Sequence, residues 1–410
     1  MKIREAIGGR SQYKKKEIIM INGSKVLDHS IRWAMVGGGL GSQIGYIHRS
    51  SAQRDNNFKL VAGAFDINPE RGMAFGRDLG VEPDRCYPDY QTMFAEEAKR
   101  EDGIEAVSIA TPNGTHYAIC KAALEAGLHV VCEKPICFTT EEAEELVSLA
   151  KAKNRVVGVT YGYSGHQLIQ QARQMIKNGD LGDIRVINMS FAFGAYNTKI
   201  EEVNAAAKWR FDPSKAGISF AMADVGTHPF YIVEAMIPDM KIKNLMCTKQ
   251  AFVEGRQLED NAFTIMNLEG SEHVQEGAQI YCWSSSINCG ARHYHKIRVV
   301  GSKASLEWDD ERPNQMSYEV EGEPVRTLER GAGYLYPEAR VEDRLLGGHA
   351  EGLFEAWSNL YRRFAVAMAG ADAGEYGDFW YPDVNAGAQG IKWLEKCVES
   401  ADKGSVWVDF

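Results

Sequence analysis

Cysteine is scarce in this sequence, with eight residues among 410, and none of them is spaced with histidine in a zinc-binding pattern. Eight cysteines in so long a chain are too few for a disulfide framework and fit a reducing compartment. Long apolar runs are also missing, because the longest run near the N-terminus, residues 18–21, is too short for a signal-peptide core or a membrane span. We therefore expect a cytoplasmic protein without a bound metal.

An excess of positive charge is absent as well. The formal net charge is −10, which argues against nucleic acid or an anionic membrane as a partner. The main basic cluster lies before residue 31 and consists of Lys2, Arg4, Arg10, Lys14, Lys15 and Lys16. We interpret residues 1–30 as an N-terminal arm, either a solvated tail or a strap onto a neighbouring subunit.

The composition is that of a folded globular protein, with 44% hydrophobic and 25% charged residues. A chain of 410 residues exceeds the size at which one hydrophobic core stops growing, so two domains are expected. From residue 31 to 160, short β-rich runs alternate with helical stretches, a pattern typical of βαβ units and a parallel sheet. The predicted strands are 31–36, 60–65, 106–109, 129–132 and 156–160.

The character of the sequence changes after a predicted helix at 166–178. Long runs with alternating faces follow, joined by turns, and predict a large, mostly antiparallel sheet. These predicted strands are 184–193, 245–254, 262–268, 278–285 and 294–300. Helices are predicted at 349–368 and 384–400, packing on either domain. We assign residues 161–410 to a substrate-binding and oligomerisation domain of α/β class, following a doubly wound Rossmann domain at 31–160.

The segment directly after the first predicted strand is rich in glycine and reads Gly37-Gly38-Gly39-Leu40-Gly41-Ser42-Gln43-Ile44-Gly45. Glycine lets the chain turn tightly there and brings backbone N–H groups against a pyrophosphate at a helix N-terminus. Ser42 replaces the third glycine of the G-x-G-x-x-G pattern, while Gly45 still permits close contact between helix and sheet.

Asp66 ends the second predicted strand, where a carboxylate can accept hydrogen bonds from the adenosine ribose. Such a carboxylate repels a 2′-phosphate and therefore favours NAD over NADP. Alternatively, Asp66 only opens the turn that leads to Pro69.

Two further motifs lie at the carboxyl ends of predicted parallel strands, the edge at which open α/β sheets bind ligands. They read Thr111-Pro112-Asn113-Gly114-Thr115-His116 and Glu133-Lys134-Pro135. With the glycine segment, they resemble the Gfo/Idh/MocA oxidoreductase family, which carries T-P-N-x-x-H and E-K-P at these points. The resemblance continues through Trp209-Arg210, Asp224-Val225-Gly226-Thr227-His228, Gly301-Ser302-Lys303-Ala304 and Tyr381-Pro382-Asp383.

The resemblance implies a Rossmann domain followed by an α/β domain with an open sheet, through which a homodimer or homotetramer forms. It also implies two sets of site residues. For NAD these are Gly37, Gly39, Leu40, Gly41, Ser42, Asp66, Thr111, Pro112, Asn113, His116, Glu133 and Lys134. For the substrate they are Tyr161, Tyr163, His166, Trp209, Arg210, Asp224, His228 and His349.

Oxidation of an alcohol needs a base for the hydroxyl proton and a positive group that stabilises the developing alkoxide. Lys134 suits the second role. Asp224 and His228 are four residues apart and would share one helix face, and by resemblance Asp224 holds the substrate or orients His228, the acid/base. We expect NAD-dependent oxidation or reduction of a ring hydroxyl of a sugar, glycoside or inositol; the aromatic residues favour a pyranose or glycoside.

Two other functions fit the same sequence. NAD-dependent oxidation, elimination and reduction would give net cleavage of a glycoside without net formation of NADH. A regulator that senses NAD or a sugar without catalysis is the second alternative. Retention of Lys134, Asp224 and His228 counts against the regulator.

Overall fold

The computed structural model describes residues 21, 23–204 and 207–410. The basic cluster of the proposed N-terminal arm, from Lys2 to Lys16, lies outside this range. Within the described ranges, no helix combines the length and apolar character needed to cross a membrane.

The first sheet has five parallel strands in the order β2-β1-β3-β4-β5. Their bounds are Ile31–Gly37 (β1), Phe58–Ala64 (β2), Ala106–Ala110 (β3), His129–Cys132 (β4) and Val157–Val159 (β5). The helices that accompany them are Gln43–Gln53 (α1), Pro69–Asp78 (α2), Tyr90–Glu97 (α3), His116–Glu125 (α4) and Thr140–Lys153 (α5). Every residue of β3 is buried, as expected for a central parallel strand covered by helices on both faces. The predicted Rossmann sheet is confirmed.

The second sheet has nine strands in the order β13-β12-β11-β10-β6-β9-β8-β7-β14. Their bounds are Ile184–Ala192 (β6), Ile242–Gln250 (β7), Asn261–Leu268 (β8), Val274–Ser285 (β9), His295–Gly301 (β10), Ala304–Asp309 (β11), Gln315–Val320 (β12), Arg326–Glu329 (β13) and Val408–Asp409 (β14). β6 and β9 run parallel, and the other neighbours are antiparallel. The predicted open, mostly antiparallel sheet is confirmed.

Helices of the second half cover one face of this sheet and return to the first. Their bounds are Gln167–Lys177 (α6), Ile200–Val203 (α7), Pro213–Ala216 (α8), Thr227–Met236 (α9), Pro337–Arg340 (α10), Leu353–Ala369 (α11) and Val384–Asp402 (α12). Trp357, Leu360 and Phe364 of α11 belong to the same buried cluster as Trp33 of β1. The hydroxyl of Tyr361 lies 2.8 Å from Ser108 Oγ on β3. α11 therefore completes the core of the first domain although it is distant in sequence.

Several element boundaries differ from the sequence predictions, and two of them, at the end of β7 and the start of α11, have a local cause. The strand predicted at 245–254 ends at Gln250, because the buried carboxylate of Asp260 accepts hydrogen bonds from the backbone N–H groups of Phe252 and Val253, both 2.9 Å long, and turns the chain. The helix predicted from residue 349 begins at Leu353, after Gly352. β11 to β14 were not predicted.

Glu234 places a carboxylate in the packed interior around α9. Its Oε2 is buried and accepts no hydrogen bond from the described residues. Burial, together with the nearby carboxylate of Asp383, raises the pKa of Glu234 from 4.5 to about 8. The folded protein therefore holds a proton on Glu234 that the unfolded chain releases at lower pH.

We predict that Glu234 lowers the stability of the protein progressively as the pH rises from about 4.5 to about 8, and by no further amount above that. Glu234→Gln carries a neutral amide of the same size and lacks this loss. Relative to the natural protein, E234Q should therefore gain stability across this interval, by at most about 1.4 kcal/mol in the free energy of unfolding per pH unit. The gain is measured as a growing difference in melting temperature between the two proteins. A difference in melting temperature that does not change with pH would contradict the prediction.

Candidate active site

The glycine segment forms a tight turn at the carboxyl end of β1. Gly37 has φ +77°, and a Cβ there would meet the Ala110 carbonyl oxygen at 2.6 Å. A Cβ on Gly45 would lie 2.2 Å from the Gly38 carbonyl oxygen, so this glycine sets the close approach of α1 to the turn. Gly41 has φ +82° and open space where a side chain would be. The segment therefore forms a backbone cradle at the start of α1 that suits a pyrophosphate.

Ser42 caps α1, since its side chain accepts a hydrogen bond of 3.1 Å from the Gly45 backbone N–H. The hydroxyl thus replaces the third glycine of the pattern with a helix cap. Leu40, on the outer side of the turn, is exposed. Both residues flank the cradle.

Asp66 lies beside the glycine turn and is engaged by its own chain. Arg71 donates two hydrogen bonds to its carboxylate, each 2.7 Å long, and the Asn68 backbone N–H donates a third. The bonds from Arg71 are the main reason that the pKa of Asp66 is lowered. Asp66 therefore opens the turn, as the alternative interpretation held. Its carboxylate also lies next to Gly39 of the glycine turn.

The two loops after β3 and β4 are held together by His116. Its Nδ1 lies 2.7 Å from the Pro135 carbonyl oxygen and its Nε2 lies 2.8 Å from that of Thr111. The ring is completely buried, and burial lowers the pKa of His116. The expectation that His116 contacts the cofactor is corrected here, because both ring nitrogens face backbone oxygens and the residue instead positions the two loops. Thr111, Pro112 and Asn113 lie on the exposed side of the same loop.

Glu133 also connects elements beneath the site. Its Oε1 accepts a hydrogen bond from the hydroxyl of Thr160 and lies 3.1 Å from His48 Nε2 on α1. His48 Nδ1 in turn lies 2.5 Å from the hydroxyl of Tyr361 on α11. Glu133 therefore joins the E-K-P loop to the helix of the glycine turn.

Lys134 reaches across from the first sheet to the second domain. Its Nζ donates hydrogen bonds to the backbone oxygen of Asp224 and, at 3.3 Å, to Asp224 Oδ1. Arg210 Nε lies 3.4 Å from the other carboxylate oxygen, Oδ2, and its guanidinium stacks over the ring of Trp209. Burial alone would raise the pKa of Asp224, but the charges of Lys134 and Arg210 outweigh it and lower the pKa.

The turn that carries Asp224 has π-helical geometry, Met222–Gly226, and leads directly into α9. A buried carboxylate, Glu259, fixes its start by accepting hydrogen bonds from Ser219 Oγ, Phe220 N and Met222 N. π-Helical turns widen the helix locally and are frequent at functional sites. Asn113, Trp209, Arg210 and Asp224 line a small cavity in front of this turn.

His228 lies on the first turn of α9, close to Lys134. Burial lowers the pKa of His228 well below 6.5, and the charge of Lys134 lowers it further. The imidazole is therefore neutral at physiological pH and is able to accept a proton. Its Nδ1 is buried and makes no hydrogen bond to any described residue.

Aromatic rings and histidines surround His228. The ring of Tyr163 lies 4.9 Å from those of both His228 and His295, and Phe191 stacks on His295 at 4.5 Å. His293 lies 5.3 Å from Phe191. The sequence analysis did not predict Phe191, His293 or His295 as site residues. The two histidines that flank Tyr294, at the start of a predicted strand, could have indicated a polar site there.

Three predicted substrate residues do not line the cavity in front of the π-helical turn, and their contact with substrate stays a prediction. Tyr161 is buried behind His228 and stacks on Tyr231 at 4.6 Å. His166 is buried 3.7 Å from Asp310, because its position before α6 turns the ring inward against Trp308. His349 is exposed in the loop before α11, where its backbone oxygen accepts a hydrogen bond from Arg330.

The described residues contain no group of three or more His, Cys, Asp and Glu arranged to hold a metal ion. The polar and aromatic site at the carboxyl edge of the first sheet consists of Lys134, Trp209, Arg210, Asp224, His228 and Tyr163. Asn113 joins them from the T-P-N loop.

Comparison with known proteins gives matches along nearly the whole chain. Residues 31–161 match the Gfo/Idh/MocA model "Oxidoreductase family, NAD-binding Rossmann fold", and residues 173–410 match "Oxidoreductase family, C-terminal alpha/beta domain". An uncharacterized oxidoreductase of Bacillus subtilis (strain 168), YfiI, is 53% identical over 96% of this chain and 100% of its own length.

Two crystal structures from Azotobacter vinelandii are also similar. An inositol dehydrogenase homolog complexed with NAD+ is 60% identical, covers 95% of this chain and 100% of its own, and has a TM-score of 0.91. The inositol dehydrogenase homolog complexed with NADH and myo-inositol is 59% identical to this chain, with the same coverage and a TM-score of 0.88. With a backbone cradle at the start of α1 and family matches over both halves, the chain belongs to the Gfo/Idh/MocA family of NAD-binding oxidoreductases.

Proposed function

We propose that this protein oxidises a secondary hydroxyl of a cyclic polyol with NAD, and that an inositol is the first substrate to test. The supporting observation is the contact of Lys134 Nζ with Asp224 beside the neutral imidazole of His228. The similar inositol dehydrogenase homolog was crystallised with NADH and myo-inositol. Tyr163 adds an aromatic face of the kind that packs against the apolar side of a sugar or cyclitol ring.

The residues fit the cofactor. The cradle of Gly37, Gly39 and Gly41 would hold the pyrophosphate, and Asp66 would meet the adenosine ribose. Thr111, Pro112 and Asn113 would flank the nicotinamide half, since they follow β3, the strand next to β1. When bound, NAD accepts the hydride that leaves the substrate carbon.

Lys134 and His228 divide the proton chemistry. The Nζ of Lys134 stabilises the negative charge that develops on the substrate oxygen, and neutral His228 takes the proton through Nε2, since its Nδ1 is buried. Asp224 holds Lys134 and Arg210 in place through one carboxylate. In the opposite direction the same groups return the proton to a ketone.

The outer face of the second sheet supports the homo-oligomer that the family resemblance implies. Phe263 is 49% exposed and stacks on Trp283, and Tyr294 packs against the other side of Trp283. A row of aromatic rings on an open sheet face is costly in water and is typical of an interface. A second copy of this chain is the proposed occupant.

The catalytic assignment is tested with Lys134→Ala and His228→Gln. We expect each variant to lower kcat with myo-inositol or another polyol by about 10² or more, because proton-transfer catalysis is lost, while NADH, followed by its fluorescence, still binds. Lys121→Ala, on the surface of α4, is the matched control. Undiminished turnover in K134A would remove Lys134 from the mechanism, and release of an aglycone without net NADH would replace oxidation by glycoside cleavage.

The ribose assignment is tested with Asp66→Ala and Arg71→Ala. Loss of the carboxylate should raise the KM for NAD by about tenfold and relax the discrimination against NADP, because Arg71 remains without a negative partner. R71A keeps the carboxylate and should keep NAD strongly preferred. The measurement is the ratio of kcat/KM with NAD to kcat/KM with NADP. An unchanged ratio in D66A would show that Asp66 serves only the turn.

The oligomer is tested with Phe263→Glu. A charge on the aromatic row should shift the mass measured by light scattering toward the monomer. Phe252→Glu, an exposed aromatic position outside the strands, should leave the mass of the natural protein unchanged. A monomeric natural protein, or an F263E variant of full mass, would contradict the proposed interface.

A further inference from the structure

A histidine and a carboxylate beside the candidate site have no role in the chemistry described so far. His293 precedes β10 by two residues, and Asp310 follows β11 directly. His293 Nδ1 lies 2.6 Å from Asp310 Oδ2. A bond of this length to a carboxylate fixes the orientation of an imidazole ring and keeps the proton of the bonded nitrogen toward the carboxylate.

His293 faces the same side of the sheet as the site. Its ring lies 5.3 Å from Phe191 and 6.1 Å from Tyr163, and both of these rings also contact His228, at 6.0 and 4.9 Å. Tyr294, the next residue, packs on the opposite face against Trp283. His293 therefore lies on the inner face, one aromatic ring away from the proposed base.

Exposure separates His293 from its neighbours. Its side chain is 44% exposed, whereas His295 and His166 are buried and the carboxylate of Asp310 is 9% exposed. On the inner face, this partly exposed imidazole contacts Tyr163 and Phe191, the same two rings that contact His228. Because Nδ1 is committed to Asp310, Nε2 is the nitrogen that remains for a ligand.

We propose that His293 is a substrate-binding residue, which holds a hydroxyl of the polyol other than the one oxidised through Nε2, with Asp310 as its positioning residue. A hydroxyl both donates and accepts hydrogen bonds, so it pairs with Nε2 whether or not that nitrogen carries a proton. Asp310 raises the pKa of His293 by the hydrogen bond. The neutral and the protonated imidazole of His293 can each bind a hydroxyl, because a hydroxyl serves as donor or acceptor. The inference rests on the proposed function and extends it to substrate choice.

Two substitutions separate the two ring nitrogens. In His293→Asn the amide reaches the place of Nδ1 and keeps a partner for Asp310, but nothing replaces Nε2. In His293→Gln the longer side chain brings a polar group to the place of Nε2. With NAD and myo-inositol, or the polyol of highest kcat/KM, we expect H293N to raise KM about tenfold with kcat within about threefold, and H293Q to recover most of the loss.

Deoxy substrates identify the hydroxyl. For one mono-deoxy analogue of myo-inositol, the rise in KM caused by the missing hydroxyl should be smaller in H293N than in the natural protein, because the two changes remove the same hydrogen bond. His29→Gln, an exposed histidine at the opposite edge of the first sheet that pairs with Glu105, is the control and should retain the natural KM.

Unchanged KM in H293N, or equal penalties for every analogue in both proteins, would overturn the role of His293. If K134A still abolishes turnover in that case, the proposed function stands by itself. If the natural protein transfers no hydride from any polyol, the proposed function fails and the role of His293 fails with it.

Discussion

The ionic contact between Lys134 and Asp224 is the interaction on which the site depends. Lys134 lies two residues after the end of β4 in the first sheet, and Asp224 lies on the π-helical turn before α9 in the second half of the chain. A partly buried cation and carboxylate stabilise each other only while both are in place, since either one alone would be an uncompensated charge. The contact therefore sets the distance between the cofactor edge of the first sheet and the helix that carries His228.

Rigid supports surround this contact on both sides. His116 ties together the loops after β3 and β4, and Glu259 holds the start of the π-helical turn. Behind them, Glu133, His48 and Tyr361 link the glycine-turn helix to α11. These bonds are buried, where a lost partner costs more than at the surface. The side chains that face a substrate are thus oriented by residues that do not touch it.

Electrostatics then divides the site into parts. Lys134 and Arg210 place positive charge around Asp224, while burial and the charge of Lys134 lower the pKa of His228 well below 6.5. Across Tyr163 and Phe191, Asp310 has the opposite effect on His293, whose pKa it raises. The pKa values of two histidines on one cluster of rings are therefore shifted in opposite directions, because His293 has a carboxylate partner while His228 is buried with a cation nearby.

Much of this was accessible from the sequence by itself. The alternation of strands and helices and the glycine turn follow from local patterns, because strands, turns and helix caps depend on neighbouring residues. The order of the motifs carried the resemblance to the family, and that resemblance implied the roles of Lys134, Asp224 and His228. Contacts between distant segments were decided by the tertiary structure. Packing turned Tyr161 and His166 inward, sent α11 back to the first domain, engaged Asp66 with Arg71 and brought His293 beside Phe191. No local pattern encodes these outcomes, since each depends on which surfaces meet when the two sheets and their helices bury their apolar faces.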